Sequence, residues 1–324
     1  MAQTTPDTRL MSPTAWGALS IVYVVWGSTY LGIRITIETM PPLLSGAVRF
    51  LVAAALLAGY LVVRRGPGAI KAGPRELGSA ALVGILLLTG GNGMVSVAEQ
   101  HLTSGLAALL VASVPLWLVV LRSLSGDRPP VRTLAGVGIG FAGVALLSLL
   151  GHGGSGSAEG VVIILLASLS WAVGSFLSAR LPMPGNNLTA SVYEMAAGGV
   201  TLLALSAVQG EHVDVTQISG RSWTALAYLI VFGSLVAFTA YSWLLKNAPI
   251  SLVGTYAYVN PAVAVFLGAL VLSEPVTWTV VVGGAVIIAG VGIVVSTERK
   301  SQPGNAAVPT EQEPAAGRRQ ASPR

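Results

Sequence analysis

The sequence predicts an all-α polytopic membrane protein, ten transmembrane helices arranged as two inverted five-helix repeats. Three observations carry that expectation. Of 324 residues, 53% are hydrophobic and only 10% charged, with a mean hydropathy of +0.74, whereas an average soluble protein is roughly 25% charged. The apolar residues fall into ten runs of the length that spans a hydrocarbon core about 30 Å thick. The chain also resembles itself when slid by 145 residues.

In chain order the runs cover 14–33, 43–63, 77–98, 104–122 and 132–150, then 160–179, 188–208, 223–244, 251–272 and 277–296. The first, "AWGALSIVYVVWGSTYLGI", is too long for a signal peptide and lacks a small-x-small cleavage site, so it reads as a retained span. The second closes on Arg64 and Arg65. The third holds Gly90, Gly91 and Gly93, and the fourth and ninth carry Pro115 and Pro261 near their middles. Many glycines and alanines throughout suit close helix packing in lipid. The first repeat therefore covers 14–150 and the second 158–297. Residues 1–13 and 298–324, rich in Pro, Gln, Ala and Arg, bury too little apolar surface to order themselves and are expected as disordered tails.

Basic residues set the expected orientation. With the N-terminus in the cytoplasm, fifteen Lys and Arg fall on the inner side and only Arg34 and Arg221 on the outer. That asymmetry predicts both termini cytoplasmic and an even number of spans. The basic excess thus reports orientation, and no nucleic-acid partner is expected. Cysteine is absent, which excludes disulfides and thiol chemistry. His101, His152 and His212 lack ligand spacing, and neither a Walker A loop nor a Gly-x-Ser-x-Gly elbow occurs. Neither a metal, a cofactor nor an enzymatic activity is expected; the partners are the bilayer and a small-molecule substrate. Monomer and homodimer stay open.

The self-match is ordered along the chain. "VVWGSTYLGIRI" falls on "LSWAVGSFLSAR", placing Trp26 on Trp171; the same shift places Arg49 on Glu194, and "SVPLWLVVL" falls on "VNPAVAVFL", Pro115 on Pro261. The third and eighth spans match poorly. Five spans per copy is an odd number, so the second copy crosses the membrane in the opposite sense. Inverted repeats of this kind mark secondary transporters, whose substrate sites lie near the midplane where the halves meet.

"WGSTY" in the first span, "VRF" in the second, "YVNP" in the ninth and "SEP" after it, in a ten-helix layout of two similar halves, resemble the EamA branch of the drug/metabolite transporter superfamily. The resemblance covers about 14–297. It implies a central cavity walled by the first four helices of each half, with the fifth and tenth peripheral, and export of amino acids or related compounds. In that family an acid recurs where Glu274 stands, which implies a structural role.

Candidate site residues follow from charge and depth. Arg49 lies about 9 Å into its span; it either snorkels to the outer headgroups or lines the cavity and attracts an anionic group. Glu194, its counterpart, is set at the mirrored depth from the inner side and is a proton-coupling candidate or a structural hydrogen-bonded acid. Asn92, Ser96 and Glu99 form one polar stripe; Glu99 is a second proton candidate unless it is merely interfacial. Pro115 and Pro261 each remove a backbone hydrogen bond, giving kinks that either gate or pack statically. Trp26, Tyr30, Trp117, Trp171, Tyr256 and Asn260 lie deep enough to wall a cavity, or to pack helices. The function expected is a secondary transporter exporting small metabolites or amphipathic drug-like molecules by alternating access, with proton antiport. A facilitative exchanger or channel is the alternative, and an intramembrane enzyme a more distant one.

Overall fold

The computed structural model describes residues 13–150, 157–247 and 256–301. They form α1 (Pro13–Thr36), α2 (Pro42–Arg65), α3 (Pro74–Ala98), α4 (Ser104–Leu124), α5 (Val131–Leu150), α6 (Ala158–Ser178), α7 (Asn187–Val208), α8 (220–247), α9 (Tyr256–Leu272) and α10 (Trp278–Ser301), with no strand among the described residues. Nine are long and apolar enough to cross a membrane, and α9 holds a shorter apolar stretch, Val259–Leu272. The helix ends overrun the apolar runs because caps carry them onward. Proline opens α2 and α3, and the side chains of Thr103, Ser157, Asn186 and Ser219 accept from the first free N–H groups of α4, α6, α7 and α8. The helix α10 runs through Ser301, so 298–301, read as tail, are helical. The rest of both predicted tails, the linker at 151–156 and the first residues of the ninth predicted span, 251–255, lie outside the described residues.

Three helices depart from α geometry. In α3 the stretch Ile85–Gly93 is π-helical, and in α8 so is Leu229–Val236. Their starts are 144 residues apart, close to the repeat shift, so the structural repeat persists through the two spans whose sequences match poorly. The helix α4 is interrupted at Ala112 and Ser113, just before Pro115, while α9 continues across Pro261. The two prolines, equivalent in sequence, thus have different local outcomes. At Pro115 the chain breaks into a turn and restarts with Ser113 O accepting from Leu116 N and Trp117 N.

The halves exchange their first helices. The first helix, α1, packs on α8 and α9, and α6 packs on α3 and α4; α2 pairs with α7, and α5 with α10. The α2–α7 pair runs antiparallel, Gly46 facing Leu202 and Gly199 facing Leu51. A Cβ on Gly84 of α3 would come within 2.5 Å of Glu194 Cα; only glycine lets the α3 and α7 backbones approach this closely. The largest apolar core gathers α3, α4, α5, α6 and α10, with Leu110, Leu116, Ile164 and Ile287 fully buried.

Candidate substrate cavity

The two halves wall a cavity of about 310 Å³, at the small end of ligand sites, which run to roughly 1,000 Å³. The α1 wall is Trp26, Thr29, Tyr30 and Ile33; α2 gives Arg49, and α3 gives Gly91, Asn92 and Val95. The broken helix α4 contributes residues on both sides of its turn, Ala108, Val111, Ala112, Val114, Pro115 and Leu118. Ala167, Ser168 and Trp171 come from α6, Tyr241 from α8, and Tyr256, Asn260 and Pro261 from α9. No α5 residue lines the cavity, and α10 supplies Val295 alone.

At one side stands Arg49, 7% exposed. Its Nε donates to Ser234 Oγ at 3.1 Å and Nη1 to Asn92 Oδ1 at 3.4 Å. Both partners lie in the π-helical stretches, Asn92 in that of α3 and Ser234 in that of α8. Gly233 makes the room: a Cβ there would sit 3.2 Å from Arg49 Nη2. The guanidinium is therefore fixed inside the bundle by both halves, and no acid among the described residues pairs with it. Its five N–H groups exceed its two acceptors, which leaves donors for a guest.

Aromatic rings form a separate part of the wall. Trp26 meets Tyr241 at 5.0 Å and Tyr256 at 5.2 Å between centroids, and Tyr241 meets Tyr256 edge-on at 5.9 Å, spacings at which such pairs attract. Asn260 is placed beneath them with its amide nitrogen oriented to donate to the carbonyls of Tyr256 and Tyr23, 3.2 Å each. The chamber therefore offers one cation, several neutral polar groups and a broad aromatic surface.

Of the residues that sequence nominates, Trp26, Tyr30, Arg49, Asn92, Trp171, Tyr256 and Asn260 line this cavity, together with Pro115 and Pro261. Two nominated wall residues sit elsewhere. Ser96 donates back to Asn92 O at 3.2 Å and faces a narrow recess of about 10 Å³ beside Arg49. Trp117 packs edge-on against Phe141 of α5 at 4.7 Å, its Nε1 buried without a partner. The reason is helical phase: Val111, Val114, Pro115 and Leu118 make the cavity stripe, and Trp117 points about 200° away from Pro115.

Both acids also lie off the cavity. Glu99 is wholly buried with both carboxylate oxygens unpartnered, within electrostatic reach of Arg34 and Glu274, while its backbone carbonyl accepts from Arg34 Nη1. It shares a stripe with Asn92 but stands about 10 Å higher, above the chamber. Glu194 is 8% exposed, its backbone against Gly84 of α3, and its side chain forms no hydrogen bond or ion pair with a described residue. The antiparallel register of α2 and α7 sets it about 9 Å from Arg49 along the pair.

Sequence reasoning misses Tyr241, Ser234 and a pair of interhelical caps. Glu274 reaches α4, Oε1 accepting from Ser104 N (2.9 Å) and Oε2 from Ser104 Oγ (2.9 Å) and Gly105 N (3.2 Å). Glu211 does the same for α2, accepting from Leu43 N (3.1 Å) and Leu44 N (2.8 Å). Each acid of the second half satisfies orphan donors and the positive end of a first-half helix. Both lie on the face where α1 ends and α2 begins, called upper below. Ser222 Oγ to Ile35 O (2.9 Å), Thr39 Oγ1 to Ser222 Oγ (2.8 Å) and the Arg221–Glu38 pair (3.7 Å) join the halves on the same face. The only sequence signal was the acid before Pro275; Glu211 sits in an ordinary polar loop.

A multi-pass bundle of two repeats with a mixed polar and aromatic chamber between them defines a membrane transporter class. The EamA-like transporter family pattern matches this chain twice, over residues 15–149 and 158–296. The chain belongs to that family. It is 43% identical over 256 residues to the uncharacterized inner membrane transporter YedA of Escherichia coli K12, covering 78% of this chain and 81% of that protein. It is 26% identical to the uncharacterized transporter YvbV of Bacillus subtilis (88% of this chain, 92% of that one). A chloroplastic WAT1-related protein of Arabidopsis thaliana is 26% identical over 86% of this chain and 69% of its own length. A solved crystal structure shares the fold, with a TM-score of 0.61 at 20% identity over 89% of this chain and 99% of that one.

Proposed function

We propose that this protein is a secondary carrier of the bacterial cytoplasmic membrane, both termini cytoplasmic, that exports small amphipathic metabolites by alternating access. The observation that carries the reading is the placement of Arg49. One buried cation, held by a π-helical stretch from each half, borders a chamber that both halves wall. A group held between two halves changes its surroundings whenever they rock, so cargo and motion share one residue. The upper-face links through Glu211, Glu274 and Ser222 are what such rocking has to break. Small compounds with an anionic group fit the chamber's size and its single cation, and the relatives named as transporters support a non-enzymatic reading.

Proton antiport is the finer form of the proposal, with Glu99 as the group given the proton. It is fully buried, unpartnered and set at the upper closure beside Glu274 and Arg34, where intramembrane acids mark relays. Glu194 is the second candidate. Proteoliposomes loaded with candidate solutes test both levels: efflux is expected, faster with an inward proton gradient, and Glu99→Gln is expected to remove the acceleration while leaving downhill efflux. Efflux indifferent to the gradient means facilitated exchange, which the position of both acids outside the cavity favours as the second reading.

A further inference from the structure

The charges around the chamber narrow its cargo, an inference that rests on the carrier reading above. Arg49 is the one ionic side chain lining the cavity among the described residues, and its acceptors, Ser234 and Asn92, are neutral. Among the described residues no acid forms an ion pair with this wall. Residues 248–255, between α8 and α9, carry no acidic residue. Neither Glu99, at the upper closure, nor Glu194, on α7, lines the chamber. A buried cation without an anion is costly, so the protein groups around Arg49 leave its charge uncompensated. An anionic guest completes it through a guanidinium fork shaped for carboxylates. An ammonium group meets no carboxylate here. The aromatic faces attract cations only weakly by comparison, and the Trp26–Tyr256 and Tyr241–Tyr256 pairs already set one ring's edge to another's face. We propose that the cavity takes amphipathic organic monoanions, a carboxylate on Arg49 and an apolar or aromatic body against Trp26, Tyr241 and Tyr256, in preference to zwitterionic amino acids and amphipathic cations.

Four probes sharing one skeleton separate the charges: 3-phenylpropionate, L-phenylalanine, 3-phenylpropanamide and 2-phenylethylammonium, titrated against the full chain in nanodiscs. The proposal expects 3-phenylpropionate to bind roughly 10-fold or more tighter than the amide and phenylalanine, as a charge-assisted pair should, with the ammonium weakest. Arg49→Gln should abolish the anion's advantage while amide binding persists. Ser234→Asp, which sets a carboxylate beside an intact Arg49, should also abolish it and serves where Arg49→Gln fails to fold. Phenylalanine or the ammonium binding as tightly as 3-phenylpropionate overturns the assignment. So does an anion preference that survives both variants, or no binding by any of the four. These failures leave the carrier reading standing, because that reading falls only if no small solute leaves loaded proteoliposomes.

Discussion

At the scale of single residues, the proposed chemistry turns on Arg49. Its two bonds to protein are unequal in length, and the shorter goes to Ser234. Removing that partner by Ser234→Ala should weaken substrate binding by about 0.5 to 1.5 kcal/mol, the net value of one hydrogen bond, whereas Arg49→Ala should cost more than tenfold in affinity. Isothermal titration with a transported solute reads both. Tyr241→Phe keeps the ring against Trp26 and Tyr256 and should be near neutral, while Tyr241→Ala should lose several-fold in affinity; equal losses would place the hydroxyl, not the ring, in contact. Arg49, Asn92, Trp26 and Tyr256 are legible in the sequence because charge, amide and large aromatics are conspicuous inside apolar runs. Tyr241 is not, since it lies near the end of its span, where a tyrosine also suits the membrane interface. Trp117 misleads for the opposite reason: depth is readable from sequence, but azimuth after a broken helix is not.

Helices and their ends carry the conformational load. Glu274 and Glu211 replace missing turns at the upper ends of α4 and α2, each through two backbone N–H groups. Glu274→Gln retains the shape but loses the charge, and should lower stability by about 1 to 3 kcal/mol. A melting temperature in detergent reads this, and an unchanged value would assign the cap no weight. Gly84→Leu drives a side chain into the α7 backbone at Glu194 and should destabilise by at least about 1 to 3 kcal/mol, because backbone cannot step aside. Span positions are legible since length and hydropathy are properties of the run itself. The π-helical stretches are not, because hydrogen bonds to other helices help to hold them. Ser170 Oγ donates to Leu86 O at 2.8 Å, and within the same stretch Thr89 Oγ1 donates to Gly198 O at 3.0 Å, so neighbouring helices tie this stretch of α3 in place. The unequal outcomes at Pro115 and Pro261 have the same character: equal sequence, different neighbours.

At the scale of the molecule, two repeats that exchange their first helices build one chamber that neither half completes alone. The odd number of spans per repeat, readable from the sequence, already implies that the halves oppose each other. The closure on the upper face through acids of the second half is visible only in three dimensions, because its partners lie about 170 residues apart. On the proposed alternating-access reading the chamber opens to one side at a time, whereas a channel exposes it to both. Counterflow separates the two most directly: vesicles preloaded with an unlabelled cargo anion are diluted into a trace of the same anion carrying a label. The account predicts transient accumulation of label above its external concentration, lost in Arg49→Ala. Label that only equilibrates, at a rate unaffected by the internal anion, would contradict alternating access through this chamber.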